Sequence, residues 1–559
     1  MERCAGPSGI PRRDFLRTMG VGAAALTAPS ILRGASGQGR RPNILLILAD
    51  DMGYSDIGCF GSEIPTPHID SLANRGVRFT QFYNCAVCCP TRASLLTGLY
   101  PHQAGVGWMV SHGADTRPPG PYQGYLNTRC VTIAEVMKSA GYRTLMSGKW
   151  HVGESRPHWP VDRGFDHCFS LISGAANYFD ISKDYLPGIT RQMVIDDQPY
   201  HPPREGFYMT DAIADRAVEL LAGTEQGRDP FFFYLAFTAP HFPLHAPPQD
   251  IARHRGRYRG GWDTLRAKRF ARQQAMGLVG AEAALSPRDP TVPAWGNIED
   301  PELMDLQMAI YAAQVEKMDA GIGRVLAELR RTGKDKDTLV IFLSDNGSNA
   351  ETDCRRFRKR EFNRPPYLGG PESYEAYVDG WANASNTPFR KYKSYLNEGG
   401  IATPLIAAGP GVRVKAGSLC HEPGHIVDLM ATCTDVGGAE YPRRLQGREI
   451  LPMEGVSFVP LLQGRKSPRT KPIFWELEGR HAMRDGRWKL VGREDAPWEL
   501  YDLSRDRSEL HNLAGAQSER VQAMTASYES WAHRCGVQSW NKISPTLSNI
   551  PGIDPVQGT

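Results

Sequence analysis

Continuous apolar runs punctuate this chain, and polar or acidic residues follow most of them at once. Residues 42–48 read PNILLIL and lead into Ala49-Asp50-Asp51. An apolar run without polar alternation predicts a strand buried on both faces, as at the centre of a parallel sheet. Residues 229–241 (DPFFFYLAFTAPH) predict a second such strand, ending in a histidine. Residues 337–347 (DTLVIFLSDNG) predict a third, ending in an acid and an amide, and residues 402–411 (ATPLIAAGPG) a further one. Between them the period changes. HIDSLANRGVRFTQFY, residues 68–83, predicts a short helix, a turn at Gly76 and a strand. TIAEVMKSAGYRTLMSGKWH, residues 132–151, repeats helix, glycine stop and strand, and then turns polar. A long helix is predicted from about Leu306 to Arg331, stopped at Gly333.

This alternation predicts an α/β fold, with a large, mostly parallel but mixed sheet flanked by helices. The polar residues beyond 42–48, 231–237 and 339–343 then lie at carboxyl ends of strands, where open α/β sheets place their sites. Residues 250–285 are charged and helix-like and read as an insertion; residues 351–379 read as a long loop or lid. The main domain is expected over residues 38–455. Beyond it, IFWELEGRHAMRDGRWKLV and WELYDLS, within 473–504, alternate and turn at Asp485-Gly486. They predict a small antiparallel sheet in a C-terminal domain of residues 456–559, with a helix near 518–535. No internal repeat is present.

Composition changes this picture little. The 559 residues are 41% hydrophobic and 23% charged, ordinary for a globular chain with a sizeable core. The formal net charge is only +4 and the basic residues are scattered, so no nucleic-acid partner is expected. The run RRFRKR at 355–360 reads as solvated surface. Residues 1–37 stand apart from the fold. They contain paired Arg12-Arg13, then Phe15 and Leu16, then a small-residue, mildly apolar stretch too short for a permanent span. This segment resembles a twin-arginine export signal, with Pro11 where serine or threonine is usual. It implies cleavage near Ala35, the twin-arginine export machinery as a partner, and a periplasmic or secreted destination. No other stretch is apolar for the length of a span, so no stable membrane span is expected. The 11 cysteines are spread along the chain. A few disulfides would suit an oxidising compartment, with no pairing legible.

The candidate chemistry sits at the strand ends. Asp50 and Asp51 are adjacent carboxylates that repel each other and call for an electropositive partner. Asp345-Asn346 repeat the situation at another strand. The four side chains offer only oxygen, which favours calcium or magnesium over zinc. A solvated strand end is the plainer alternative for either pair. Lys149 and His151 in SGKWHVG, His241 in APHFPLHAP and Lys393 in FRKYKSYLNEGG are weak signals singly, since each type is common on surfaces. Together, past strand ends and beside a cation site, they describe a pocket for an anion, with a histidine able to move a proton near neutral pH.

One stretch is harder to place. NCAVCCPTRASLLTG, residues 84–98, holds Cys85, Cys88 and Cys89. Zinc would need about four soft ligands in paired spacing, and no companion pair is evident. Cys85 and Cys88 formally satisfy C-x2-C at a helix start, as a redox pair would. Three buried core cysteines are the remaining bland reading. Pro90 near the start of a helix-like run is natural, and the amino end of that helix would welcome an anionic group.

C-x-P-x-R followed by ASLLTG resembles the signature of the type I sulfatases, in the alkaline-phosphatase superfamily. In that family the first cysteine of the motif is oxidised after translation to formylglycine (3-oxoalanine). Cys88 has Pro90 and Arg92 at the required offsets, whereas Cys89 would need proline at Thr91 and Cys85 at Val87. The resemblance therefore implies Cys88 as the modified residue, with Cys85 and Cys89 as bystanders. It implies Asp50 and Asp51 as the first pair of metal ligands and Asp345 and Asn346 as the second. Converted residue 88 adds an oxygen to one divalent cation, calcium first and magnesium as the alternative. Lys149 and His151 match the family's G-K-W-H element, His241 the histidine after its A-P strand, and Arg92 the arginine bracing the modified residue. Lys393 precedes EGG (398–400) by the family's spacing. The resemblance runs from about residue 41 to about residue 514 and takes in a second domain. NASNTPFRKYK, residues 383–393, is similar to bacterial arylsulfatases acting on small aryl sulfates.

The implied function is hydrolysis of a sulfate ester, an aryl sulfate or a sulfated sugar, to sulfate and a phenol or alcohol. Lys149, Lys393 and His241 would stabilise charge on the sulfuryl and leaving oxygens, His241 with Lys393 would protonate the leaving oxygen, and His151 would serve as base in releasing sulfate. A cytoplasmic formylglycine-generating maturation enzyme is implied as a partner. Two other readings stay open: a phosphonate monoester or phosphodiester hydrolase of the same superfamily, and a silent carbohydrate-binding homologue with unmodified Cys88. Specificity is expected in residues 250–285, in 351–379 and in the C-terminal domain.

Overall fold

A computed structural model of the protein describes residues 41–110, 117–183, 191–225, 227–350 and 360–547. The export-signal reading of residues 1–37, and residues 351–359 of the expected lid, lie outside the described residues. The apolar runs are strands of one 11-stranded sheet. In chain order these are β1 (Asn43–Ala49), β2 (Val77–Tyr83), β3 (Arg143–Lys149), β4 (His167–Leu171), β5 (Met193–Ile195), β6 (Gln198–Tyr200), β7 (Phe231–Ala236), β8 (Thr338–Ser344), β9 (Ala402–Ala408), β10 (Ser418–Cys420) and β11 (Gly424–His425). They lie side by side as β10-β2-β9-β8-β1-β7-β3-β4-β5-β6, with β11 also paired to β2.

β8, β1, β7, β3 and β4 run parallel. Every residue of β1, β7 and β8 is buried, which explains why their sequences show no polar alternation. Each Ile, Leu or Phe so placed contributes about 1.5–3 kcal/mol of burial. β9 runs antiparallel to both its neighbours, β8 and β2. Its amino end therefore lies at the edge where the parallel strands have their carboxyl ends, and the loop before it, residues 386–401, is delivered there too.

The C-terminal region contains a small hairpin, β12 (Arg444–Leu445) with β13 (Arg448–Glu449), and a four-stranded antiparallel sheet. The sheet comprises β14 (Ile473–Leu477), β15 (Arg480–Asp485), β16 (Trp488–Arg493) and β17 (Ala496–Asp502) in sequence order. The helix Ser518–Cys535 lays Met524, Tyr528 and Trp531 on Met483, Leu490 and Leu500 of that sheet. The small sheet is tied to the large one: Trp475 Nε1 donates to the Asn84 carbonyl at 2.7 Å, and Arg484 to the Tyr83 hydroxyl at 2.5 Å.

Some expected bounds shift for local reasons. The long helix begins at Pro301, ahead of the expected Leu306, because the Asp300 side chain accepts from the Leu303 N–H and Pro301 suits the first turn. The β5–β6 hairpin, with strands of three residues each, and the eight-residue final helix, Trp540–Leu547, are too short to stand out in the sequence. The described cysteines, Cys59, Cys85, Cys88, Cys89, Cys130, Cys168, Cys420, Cys433 and Cys535, are free thiols. Among the described residues no helix is long and apolar enough to cross a membrane.

The insertion at 250–285 forms the helices Pro248–Ala252 and Gly261–Ala275, and it is welded to the core. Arg269, wholly buried, donates to Asp56 Oδ1 at 2.6 Å and to both Glu63 oxygens at 2.9 Å. The other Asp56 oxygen accepts from the Gly53 N–H and the Tyr311 hydroxyl. This fixes the loop just beyond β1. Arg269→Met leaves two carboxylates without their counter-charge, and should lower the unfolding free energy by about 3–5 kcal/mol in urea titrations. A loss below about 1 kcal/mol, the range of a surface pair, would contradict this account.

Candidate active site

The carboxyl ends of β1, β8, β7 and β3 bring the sequence-predicted residues together. Ala49 and Ser344 are register partners at the ends of β1 and β8, so the next residues, Asp50 and Asp345, stand side by side. Asp51 follows at a φ of 62°, a strained left-handed conformation held by its N–H donating to Asp345 Oδ1 at 3.1 Å. Asn346 Nδ2 donates to Asp51 Oδ1 at 2.5 Å. Asp50, Asp345 and Asn346 are wholly buried and Asp51 nearly so.

Cations surround this acidic group. Arg92 Nε and one terminal nitrogen donate to Asp345 Oδ2 at 3.0 and 2.8 Å, and that terminal nitrogen also lies 3.4 Å from Asp50 Oδ1. Lys149 Nζ, at the end of β3, donates to Asp50 Oδ2 at 2.7 Å. Lys393 Nζ donates to Asp51 Oδ2 at 2.9 Å, and His241 Nε2 lies 3.4 Å from the same oxygen. The other His241 nitrogen, Nδ1, meets the Phe242 carbonyl at 2.6 Å. A carbonyl only accepts, so Nδ1 carries a hydrogen.

Burial pushes the Asp50 and Asp345 carboxyls up; repulsion from Asp51 adds to it at Asp50, and repulsion from Asp50 at Asp345, against the pull of Lys149 and Arg92. At Asp51 burial acts the same way, but His241 and Lys393 outweigh it and hold the carboxyl low. Asp50 Oδ1 and Asn346 Oδ1 accept no hydrogen bond although both are buried. Such unmet acceptors are costly in a protein interior. A crowded set of oxygens with unmet acceptors fits a hard divalent cation. Among the described residues, Asp50, Asp51 and His241 bring ligand atoms within 4.8 Å of one another.

Cys88 is the first residue of the helix Cys88–Thr97, with Pro90 in its first turn. The Cys88 Sγ lies 3.4 Å from His151 Nδ1. His151 Nε2 meets the Val110 carbonyl at 3.0 Å, so the ring hydrogen is on Nε2 and Nδ1 turns its lone pair toward residue 88. A hydrogen bond from the Cys89 thiol, then Lys149 and His151, hold the Cys88 thiol well below its ordinary range despite burial. Burial lowers His151, keeping the imidazole in its neutral form.

The sequence missed several parts of this arrangement. Cys89, a bystander to the motif, lies close to the site. Its Sγ is 3.6 Å from His151 Nε2 and 3.5 Å from Met109 Sδ, and it accepts from the Val110 N–H at 3.2 Å. Cys88, Cys89 and His151 thus form a second group of potential ligands. Local spacing shows no companion to the cysteines because His151 arrives from the end of another strand, β3. Gly174 packs on the His151 ring: a Cβ there would fall 2.3 Å from Cε1. His151 itself has a φ of 59°, so ring and backbone are both set by tertiary contacts. Cys85 lies apart, its N–H donating to Thr91 and its Sγ near Ser94 and His425.

Residues 42–439 match the family model described as Sulfatase. The chain is 36% identical over 511 residues to an uncharacterised sulfatase of Schizosaccharomyces pombe, covering 85% of this chain and 91% of that one. It is 36% identical over 447 residues to an arylsulfatase of Klebsiella aerogenes, covering 78% and 95%. Among solved structures, Ps i-CgsB in complex with k-i-k-neocarrahexaose superposes with a TM-score of 0.66 at 25% identity, covering 92% of this chain and 98% of that one. The chain belongs to the type I sulfatase family of the alkaline-phosphatase superfamily, as an arylsulfatase-like sulfuric ester hydrolase.

Proposed function

We propose that the protein hydrolyses sulfate monoesters of phenols or small alcohols, with Cys88 converted to formylglycine and one divalent cation bound by Asp50, Asp51, Asp345, Asn346 and residue 88. The observation that carries this reading is the meeting of Cys88, at a helix amino end, with an all-oxygen acidic group and with Lys149, His151, His241 and Lys393. The relatives named as sulfatases and an arylsulfatase support the same substrate class. Calcium suits a cage of several protein oxygens better than magnesium, which keeps more of its water. When bound, the cation supplies Lewis acidity and lowers the pKa of an oxygen nucleophile. Formylglycine supplies, as its hydrate, one hydroxyl to attack sulfur and a second from which the aldehyde is regenerated, which a thiol lacks.

The chain's own residues do the rest. Arg92 braces Asp345 and Asp50 and donates to the Lys149 carbonyl at 2.9 Å, fixing the acidic group to β3. Asp50, Asp51 and Asp345 are matched in charge by Arg92, Lys149 and Lys393. A divalent cation then gives the pocket a surplus of positive charge for a sulfate group. Lys149 and Lys393 hold the sulfuryl oxygens and the developing charge. His241 and Lys393 neutralise the leaving oxygen. His151 Nδ1, neutral and aimed at residue 88, accepts the proton released in restoring the aldehyde.

Because Cys88 is only 1% exposed, a converting enzyme must reach it before folding. This fits a maturation enzyme in the cytoplasm followed by twin-arginine export of the folded protein, with residues 12–37 as the signal and the periplasm or exterior as the destination.

Cys88→Ala should abolish turnover of 4-nitrophenyl sulfate while leaving thermal unfolding unchanged; near-normal turnover would sink the assignment. Assayed beside an aryl phosphonate and an aryl phosphodiester, the unaltered enzyme should prefer the sulfate, and preference for either phosphorus substrate would favour the other hydrolase reading. Cys89→Ala should keep substantial activity, since its thiol, though beside Cys88 and His151, adds no oxygen to the cage; a dead variant still carrying formylglycine at residue 88 would refute this. Asp345→Ala should lose bound metal by more than the roughly 10–100-fold that an outer-shell change costs, and turnover with it. Full occupancy by elemental analysis would contradict the ligand set.

A further inference from the structure

Lys393 is carried by a loop, residues 386–401, rather than by a strand end or a helix. Lys391 and Ser394, on either side of it, have φ of 64° and 72°. L-residues hold that conformation only with outside support, and the support comes from far along the chain. Near the start of the loop, the Arg390 guanidinium donates to the Glu509 carbonyl at 2.7 Å and the Tyr501 hydroxyl at 3.2 Å. Near its end, the Glu398 N–H donates to the Glu509 carboxylate at 3.1 Å. Lys489 Nζ, from β16, stands 3.1 Å from Glu398 and 2.8 Å from Glu509, and all three side chains are wholly buried. The Gly399 N–H closes the loop on the Arg390 carbonyl at 2.9 Å.

Both shoulders of the loop are therefore tied to one residue, Glu509, and bridged by one cation, Lys489, while Arg507 also donates to Glu398 at 3.0 and 3.2 Å. Between them the Lys393 N–H donates to the Ser348 carbonyl and the Ser394 N–H to the Ala86 carbonyl, both at 3.0 Å. Ala86 lies in the short connection between β2 and the Cys88 helix. The loop thus spans from the C-terminal sheet to the reacting residue, with Lys393 at its centre.

We propose that Glu509 and Lys489 are positioning residues for Lys393: the buried Glu398–Lys489–Glu509 cluster sets the loop so that Nζ stays at the leaving oxygen. This rests on the reading that Lys393 neutralises that oxygen. The C-terminal sheet is then part of the catalytic apparatus without touching substrate. A group that merely stabilised the fold would cost every substrate the same factor. A group that aims Lys393 costs most where the leaving oxygen most needs neutralising, in esters of weakly acidic phenols.

The test is a series of phenyl sulfates graded from good to poor leaving groups, run on the metal-loaded, formylglycine-bearing enzyme. Lys489→Met should lower kcat/KM little for 4-nitrophenyl sulfate and at least about tenfold more for unsubstituted phenyl sulfate. Lys393→Ala should show the same trend more steeply. The double variant should be no steeper than Lys393→Ala, since the two act as a unit. Tyr501→Phe removes one hydrogen bond to Arg390 while leaving the buried charges paired, so it should fold and tilt the series in the same direction. A uniform loss across the series in Lys489→Met and Tyr501→Phe, or added steepness in the double variant, overturns the proposal. A flat series for Lys393→Ala would refute the reading of Lys393 and the proposal with it, whereas a steep Lys393→Ala beside flat Lys489→Met and Tyr501→Phe removes the proposal alone.

Discussion

Asp50, Asp51 and Asp345 crowd three carboxylates into a space that excludes water, and the surrounding design answers that repulsion. Burial pushes all three carboxyls upward, and Asp50 and Asp345 stay raised. Each is met by a cation delivered on a different element: Lys149 from the end of β3, Arg92 from the Cys88 helix, Lys393 from the loop before β9. Three carboxylates meet three cations, so a divalent cation bound there would make the pocket electropositive, as the proposed binding of a sulfate group requires. The same crowding accounts for the strained backbone. Asp51 and His151 have positive φ, as does Ala86 just before the Cys88 helix, and these positions are held by contacts between elements distant in sequence.

Much of this was legible in the chain because strand ends are local features. PNILLIL followed by Asp50-Asp51, and LVIFLS followed by Asp345-Asn346, reveal both a buried strand and the oxygens beyond it. The offsets of the family's C-x-P-x-R signature, met by Pro90 and Arg92, single out Cys88 among neighbouring thiols. What stayed hidden depends on which elements meet. The antiparallel course of β9 cannot be read from ATPLIAA, yet it is what brings Lys393 to the carboxyl edge of the sheet. The Val110 carbonyl that sets the His151 tautomer leaves no side-chain trace, and Gly174 shows its purpose only once the imidazole lies against it. Cys89, a bystander by spacing, borders the site because the helix start presents adjacent side chains to the same histidine.

The two parts that read as additions are integral. The insertion helix Gly261–Ala275 buries Arg269 against Asp56 and Glu63, beside the turn that carries the acidic pair. The C-terminal sheet sends Trp475 to the Asn84 carbonyl, just before the helix bearing Cys88, and Lys489 to Glu398, in the loop bearing Lys393. Charges of this kind are expensive to bury and weak as net stabilisers when compared with apolar packing. Their effect is to fix loop geometry at a site where small displacements of a charged group are costly to catalysis.

The account turns on residue 88 being an aldehyde hydrate rather than a thiol. Mass spectrometry of the peptide containing residues 84–98, on enzyme purified at full sulfatase activity, tests this most directly. The predicted result is an aldehyde at residue 88, trapped by a hydrazine reagent, with Cys85 and Cys89 alkylated as ordinary thiols. Fully active protein in which residue 88 alkylates as cysteine would contradict it.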